Sequence, residues 1–122
     1  MRGAALLARI EFSRDTVLSA LIEALKDTHY YVRREAAKSL EHFGSSAKAA
    51  TAALQHCLTD TDEFVHLAAA RALGTIDPRQ EEAVHVLAQL SKGQRNPDLE
   101  AAAAEALRKI RGEHVAGRDG KR

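Results

Sequence analysis

Apolar residues recur along this chain at helical spacing, and the helical stretches themselves recur. Val17, Leu18, Leu21, Ile22 and Leu25 fall on one stripe of a helix. Asp27-Thr28 interrupts the stripe, with Thr28 placed to cap the next helix. Val32, Ala36, Ala37, Leu40 and Phe43 form a second stripe, which Gly44 stops. The pattern then starts again: Ala50, Ala53, Leu54, Cys57 and Leu58, a cap at Thr61, then Val65, Ala69, Ala72, Leu73 and Ile76. Asp77-Pro78 opens a third round, with Pro78 at a first helical position, where its missing N–H costs little. Ala83, Val84, Leu87 and Leu90 carry that helix, and Asn96-Pro97 repeats the start signal before Leu99, Ala103, Leu107 and Ile110. The prediction is mostly helix, no sheet, and turns near residues 27–29, 44–46, 59–62, 76–78 and 92–97.

The recurrence has a fixed length. Leu21, Leu54 and Leu87 sit 33 residues apart, as do Asp27 and Asp60, Val32 and Val65, Ala36 and Ala69, and Leu40 and Leu73. One extra residue enters near Gly93, after which Leu99, Ala103, Leu107 and Ile110 follow Val65, Ala69, Leu73 and Ile76 at 34. A constant period of this length means stacked two-helix units, each unable to bury its apolar faces alone. Ala36, Ala69 and Ala103 share one register position and permit close helix approach.

The ends depart from the middle. Residues 3–10 align one period ahead of Ala36 to Phe43, so the chain is expected to begin inside the second helix of an incomplete unit. The expected organisation is a half-repeat over 1–12, repeats over 13–44, 45–77 and 78–111, and a disordered tail over 112–122 bearing Gly112, Gly117 and Gly120. Such an array reads as a fragment or short form of a longer one.

Composition narrows the class. Of 122 residues 45% are hydrophobic, yet there is no Trp and the aromatics are Phe12, Tyr30, Tyr31, Phe43 and Phe64, so the apolar content rests on helix-favouring Ala and Leu. A net charge of +1 selects no partner by itself. No apolar run reaches the ~20 residues of a membrane span, so no membrane insertion is expected. Cys57 is alone, which rules out an internal disulfide and points to an intracellular, cytoplasmic setting.

Leu25-Lys26-Asp27, Val32-Arg33, Ala36-Ala37 and Leu40, repeated as Leu58-Thr59-Asp60, Val65-His66, Ala69-Ala70 and Leu73-Gly74, resemble a HEAT repeat of the compact, PBS-lyase-like kind over residues 3 to 111. The resemblance implies an all-α, right-handed α-solenoid of about three helical hairpins preceded by a half-repeat, with the second helices lining a concave surface. It also implies a polar ladder between neighbouring units, built from a loop Asp and the Arg six residues on. Asp27 and Arg33 match both positions, Asp60 matches with His66 in place of the Arg, and Gly93 or Gln94 with Glu100 breaks the third rung. Asp27 and Asp60 are expected to cap helix starts, one of them accepting a hydrogen bond from Arg33 or His66.

The chemistry-bearing residues point away from catalysis. His29, His42, His56, His66, His85 and His114 show no metal-ligand spacing. Cys57 lies on an inward stripe and reads as a buried thiol. Some HEAT-type proteins are di-iron hydroxylases with His-Glu pairs at the start of second helices, but the corresponding pairs here are Arg34-Glu35, Leu67-Ala68 and Ala101-Ala102, and a single carboxylate cannot hold two irons. No cofactor or metal is expected. Arg33, Arg34 and Lys38, with His66 and Arg71 one period later, form the candidate partner-binding strip, and Glu100 and Glu105 reverse its sign in the third unit. A strip that changes sign suits a protein partner and disfavours nucleic acid. The expected function is a non-catalytic protein-interaction scaffold. The alternatives are contact with nucleic acid or another phosphate surface through the strip, and a regulatory or chaperone-like subunit of an enzyme. Self-association through uncapped ends is expected, with Leu6, Leu7 and Ile10 short of cover.

Overall fold

The computed structural model describes the backbone of residues 2–93 and 95–119 and the side chains of residues 13–93 and 95–111. Among the described residues the chain is helical with no strand. The elements run α1 Arg2–Ala24, α2 Tyr30–Phe43, a 3-10 segment Gly44–Ala50, α3 Thr51–Cys57, α4 Glu63–Ile76, α5 Glu81–Leu90 and α6 Pro97–Asp119. They pair as α1/α2, α3/α4 and α5/α6 and stack as an α-solenoid. The helix α4 lies at the centre, packed on α2, α3, α5 and α6.

The stripes read from the sequence are the faces that meet. Ala36, Ala37, Leu40, Leu54, Val65, Ala69, Leu73, Leu87, Leu99 and Ala103 are all buried in one core. Close approach depends on small residues. Gly74 on α4 faces Ile110 of α6 so tightly that a Cβ there would strike the tip of that side chain. Gly44 closes α2 at φ 58, a left-handed value that a side chain disfavours.

The helix starts differ from the expectation in an instructive way. Thr28 and Thr61 are not the caps, and neither are Asp27 and Asp60. The caps are His29 and Asp62, and Asp62 Oδ1 accepts from the amides of Phe64 and Val65, each at 3.0 Å. The two earlier aspartates act one step upstream. Asp27 accepts from the His29 amide at 2.9 Å, and Asp60 from the Asp62 amide at 2.9 Å, so each folds the loop that delivers the cap residue. Asp62→Ala should therefore cost about 1 kcal/mol, the usual worth of a lost cap. A urea midpoint unchanged by that substitution would contradict the assignment.

Pro78 also moves. It occupies a turn closed by the Gln80 amide on the Asp77 carbonyl at 3.0 Å, and α5 begins only at Glu81. Proline's fixed φ suits the second position of such a turn as well as it suits a helix start. Pro97 does open α6, with Asn96 Oδ1 accepting from the Asp98 and Leu99 amides at 2.9 and 3.3 Å. The first helix of the second unit is shorter than its apolar stripe. Gly44–Ala50 is wound as a 3-10 segment with a kink at Ala47, which tucks Ala47 and Ala50 into the core before α3 starts.

Both ends carry more helix than expected. The helix α1 runs unbroken from Arg2 to Ala24, with no separate helix over residues 1–12, because neither Gly nor Pro interrupts Ala4 to Ala24. The helix α6 continues to Asp119, through most of the segment expected to be a disordered tail. Gly112 and Gly117 each weaken it by about 1 kcal/mol relative to Ala, and the helix-favouring run from Ala101 to Arg111 carries it across. The side chains of Leu6, Leu7 and Ile10, on which the expected self-association rests, lie outside the described residues.

Candidate interaction surface

The second helices α2, α4 and α6 lie side by side, and their outer faces form a groove. In its first section α2 supplies Arg34 and Lys38, α4 supplies Phe64, Leu67, Ala68 and Arg71, and α6 supplies Asp98 and Ala102, around a volume of about 380 Å³. A second section, of about 460 Å³, continues past Gly74 and Thr75 to Ala106, Lys109 and Ile110. Glu41, His42 and Arg71 border both sections.

The register explains why these residues meet. Tyr31, Phe64 and Asp98 share one position of the period, Glu35, Ala68 and Ala102 a second, and Lys38, Arg71 and Glu105 a third. Stacking in register brings Phe64 and Asp98, Ala68 and Ala102, and Lys38 and Arg71 to the same section of the groove. Only the charged members stand out in the sequence. The period carries Arg34 and Glu35 forward to Leu67 and Ala68, which excluded a metal site; the same correspondence also marks the apolar floor.

The five strip residues do not form one surface. Arg33 is withdrawn into the space between units. Its Nε donates to Asp60 Oδ2 at 2.8 Å and its Nη2 to Asp60 Oδ1 at 3.0 Å, while Nη1 donates to the carbonyls of Asp27 and Thr28 at 2.8 and 3.1 Å. The two side chains are only 17% and 10% exposed. Burial of the Asp60 carboxyl opposes its ionisation, but the bonds from Arg33 and the Asp62 amide and the nearby charges outweigh that, and its pKa falls below the ordinary value. Among the described residues the Asp27 carboxylate bonds locally, to the His29 amide and ring, and the bond to that amide chiefly lowers its pKa.

His66 holds the position of Arg33 one unit later and is half-buried. Its Nε2 is buried with no hydrogen-bond partner among the described residues. Burial pushes its pKa below the ordinary 6.5, against the pull of Asp60 and Glu63. The folded protein therefore resists protonating His66 more than the unfolded chain does. Stability carried by this residue is present above pH 6.5 and is lost as pH falls through the folded value. Thermal melts between about pH 7 and pH 5 should show that decline, and His66→Gln should flatten it. An equal slope in the variant would show that His66 does not cause it.

Arg34, Lys38 and Arg71 remain on the groove. Lys38 Nζ is 3.6 Å from Glu35 and Arg34 Nε is 3.9 Å from the same carboxylate. The Arg34 guanidinium also lies 5.4 Å above the Tyr31 ring, within range of a cation–π contact. Arg71 Nη2 reaches Glu41 at 3.3 Å, and its Nε is buried without an acceptor among the described residues.

Elsewhere the chemistry is structural. Cys57 is buried, its Sγ directed at the Leu25 carbonyl 3.8 Å away, and burial raises its pKa, the opposite of what a nucleophile needs. Among the described residues no group of three or more His, Cys, Asp or Glu side chains is placed to hold a metal ion. No helix among them is long and apolar enough to cross a membrane.

No curated protein and no solved structure matches the chain significantly. A family model described as HEAT repeats matches residues 1–74 and again residues 18–108. HEAT-repeat proteins commonly act as protein-interaction scaffolds and are generally non-catalytic. The two-helix period, the central stacking of α4 and the groove along the second helices agree with that match, and the chain belongs to the HEAT-repeat family.

Proposed function

We propose that this protein is a non-catalytic scaffold that binds another protein along the groove of α2, α4 and α6. One observation carries the reading. Phe64, Leu67, Ala68 and Ala102 form an apolar floor, and charged side chains stand along its edges, as in a protein contact with a dry centre and a polar rim. The carboxylates of Glu41 and Asp98 on the same groove weigh against a polyanionic ligand. The test is affinity capture with the intact chain and with Ala102→Arg, which places a long cation on the floor. Proteins retained by the wild type at raised salt and lost with Ala102→Arg support the reading. Capture of only nucleic acid, released steeply by salt, would replace it with the phosphate-surface alternative. Self-association is a separate proposal, supported by the half-exposed Val17 on α1 and the half-buried Leu107 and Ile110 on α6. Light scattering across concentrations decides it, and a mass independent of concentration would overturn it.

A further inference from the structure

The cations of the groove are far less committed than the one between the units. Arg33 has four hydrogen bonds, two of them a matched pair with Asp60. Arg34 and Lys38, by contrast, share the single Glu35 carboxylate at 3.9 and 3.6 Å, beyond good hydrogen-bond length. Arg71 has one long contact to Glu41, and the buried Nε leaves one N–H unanswered. Three cations therefore face two carboxylates, and none of the three is held bidentately. Turning the Arg71 guanidinium toward an incoming acceptor would sacrifice one weak bond and could satisfy a donor that now has none.

These cations border one side of the apolar floor. Asp98 borders the other, on α6. An incoming carboxylate is drawn to the α2–α4 side and repelled from the α6 side, which sets the direction of whatever binds. At about 380 Å³ the section has the size of a small-ligand pocket, at the lower end of the ~300–1,000 Å³ range. It has room for one or two side chains and continues into the second section, which suits an extended segment lying along the groove.

We infer, resting on the scaffold reading above, that this section of the groove takes an acidic–apolar segment of a protein partner. An apolar side chain sits on Phe64, Leu67, Ala68 and Ala102, and a neighbouring Asp or Glu carboxylate lies between Arg34, Lys38 and Arg71. The residue that meets Asp98 is neutral or basic.

The experiment is selection of a displayed random-peptide library on the full chain, followed by fluorescence polarisation of the enriched peptides. Enrichment of Asp or Glu beside Leu, Ile or Phe is expected. The enriched peptides should bind about tenfold more weakly to the double variant Arg34→Glu with Lys38→Glu, and as weakly or worse to Ala102→Arg. Arg34 and Lys38 lie outside the core and Ala102 is half-buried against it, and circular dichroism melts matching the wild type confirm that each variant is folded. Should either melt early, Lys38→Ala and Ala102→Ser give the milder pair for the same comparison. Enrichment of Lys- or Arg-rich peptides, or no enrichment above the Ala102→Arg protein, overturns the proposal. So does displacement of the peptides by a single-stranded oligonucleotide that binds more tightly than they do. If Ala102→Arg abolishes binding and the charge reversal does not, the groove stands as the contact surface and the acidic class falls. If neither variant weakens binding, both fall.

Discussion

Replacing Leu73 by alanine is expected to remove about 3–4 kcal/mol of stability, the range for a Leu side chain deleted from a packed core. Leu73 is 0% exposed and lies on α4, the helix packed against four others. Neighbours held from several sides cannot collapse into the space left behind, so the cavity persists. A domain of this kind has about 5–15 kcal/mol in total, so the variant would lose a large share of it. Leu107 holds the same register position one unit later but is only half-buried on α6. Leu107→Ala should cost nearer 1 kcal/mol, since part of that side chain already meets water. Urea denaturation of the two variants compares them directly. Equal losses would mean that the central unit is no better packed than the last.

The second large effect is expected at the Arg33–Asp60 pair. Asp60→Ala strands a guanidinium that is 17% exposed, and it also releases the Asp62 amide. Removing one member of a buried ion pair typically costs 3–5 kcal/mol, and with some solvent access here about 3 kcal/mol is expected. For a chain of this length that lowers the melting midpoint by about 10 °C. Arg33→Ala should cost a similar amount through its four lost bonds. The double variant should cost clearly less than the sum, because each single change leaves a charged group behind. Strict additivity would show that the two do not act as a pair. The pH dependence has a definite sign. Asp60 has a lowered pKa when folded, so its contribution is present above the ordinary 3.8 and is lost as pH falls through the folded value. Asp60→Asn should remove that acid-sensitive part and leave the neutral-pH loss.

Core and ion pair belong to one design. The loops inside neighbouring units are tied to each other by a part-buried ion pair on one side, while the groove side keeps its cations loosely held. The same residue type serves opposite ends. Arg33 is fixed by its bonds to both loops. Arg34, its immediate neighbour, points to the other face of α2, because adjacent residues on a helix lie about 100° apart. The scaffold proposed above would use both features: joints that hold the units in register and a surface whose cations have only long ion-pair contacts.

Much of the fold was legible in the chain itself. Helical apolar spacing identified the second helix of each unit, and the period of 33 marked which leucines and alanines would share the core. The reason is that stacked units repeat their environment, so a register position has one meaning wherever it recurs. Where the repeat breaks, that inference weakens. His66 for Arg33 and Glu100 for His66 altered the chemistry without altering the helices.

Only tertiary structure decided the rest. The caps fell on His29 and Asp62 because Asp27 and Asp60 hold the cap residues' amides, a choice set by loop shape that several polar residues in a row could equally have satisfied. Pro78 went to a turn and Pro97 to a helix start although both come after the same kind of signal. The chain offered Arg33 two places, the ladder and the strip, and the stacking chose the ladder by bringing Asp60 of the next unit within 2.8 Å of it. Leu67, Ala68 and Ala102 came to line one groove only when α2, α4 and α6 were set side by side. Local sequence determines which residues are apolar and how often they recur. Which donors meet which acceptors, and which apolar groups come to line a groove, depends on distances between units that no single stretch of chain contains.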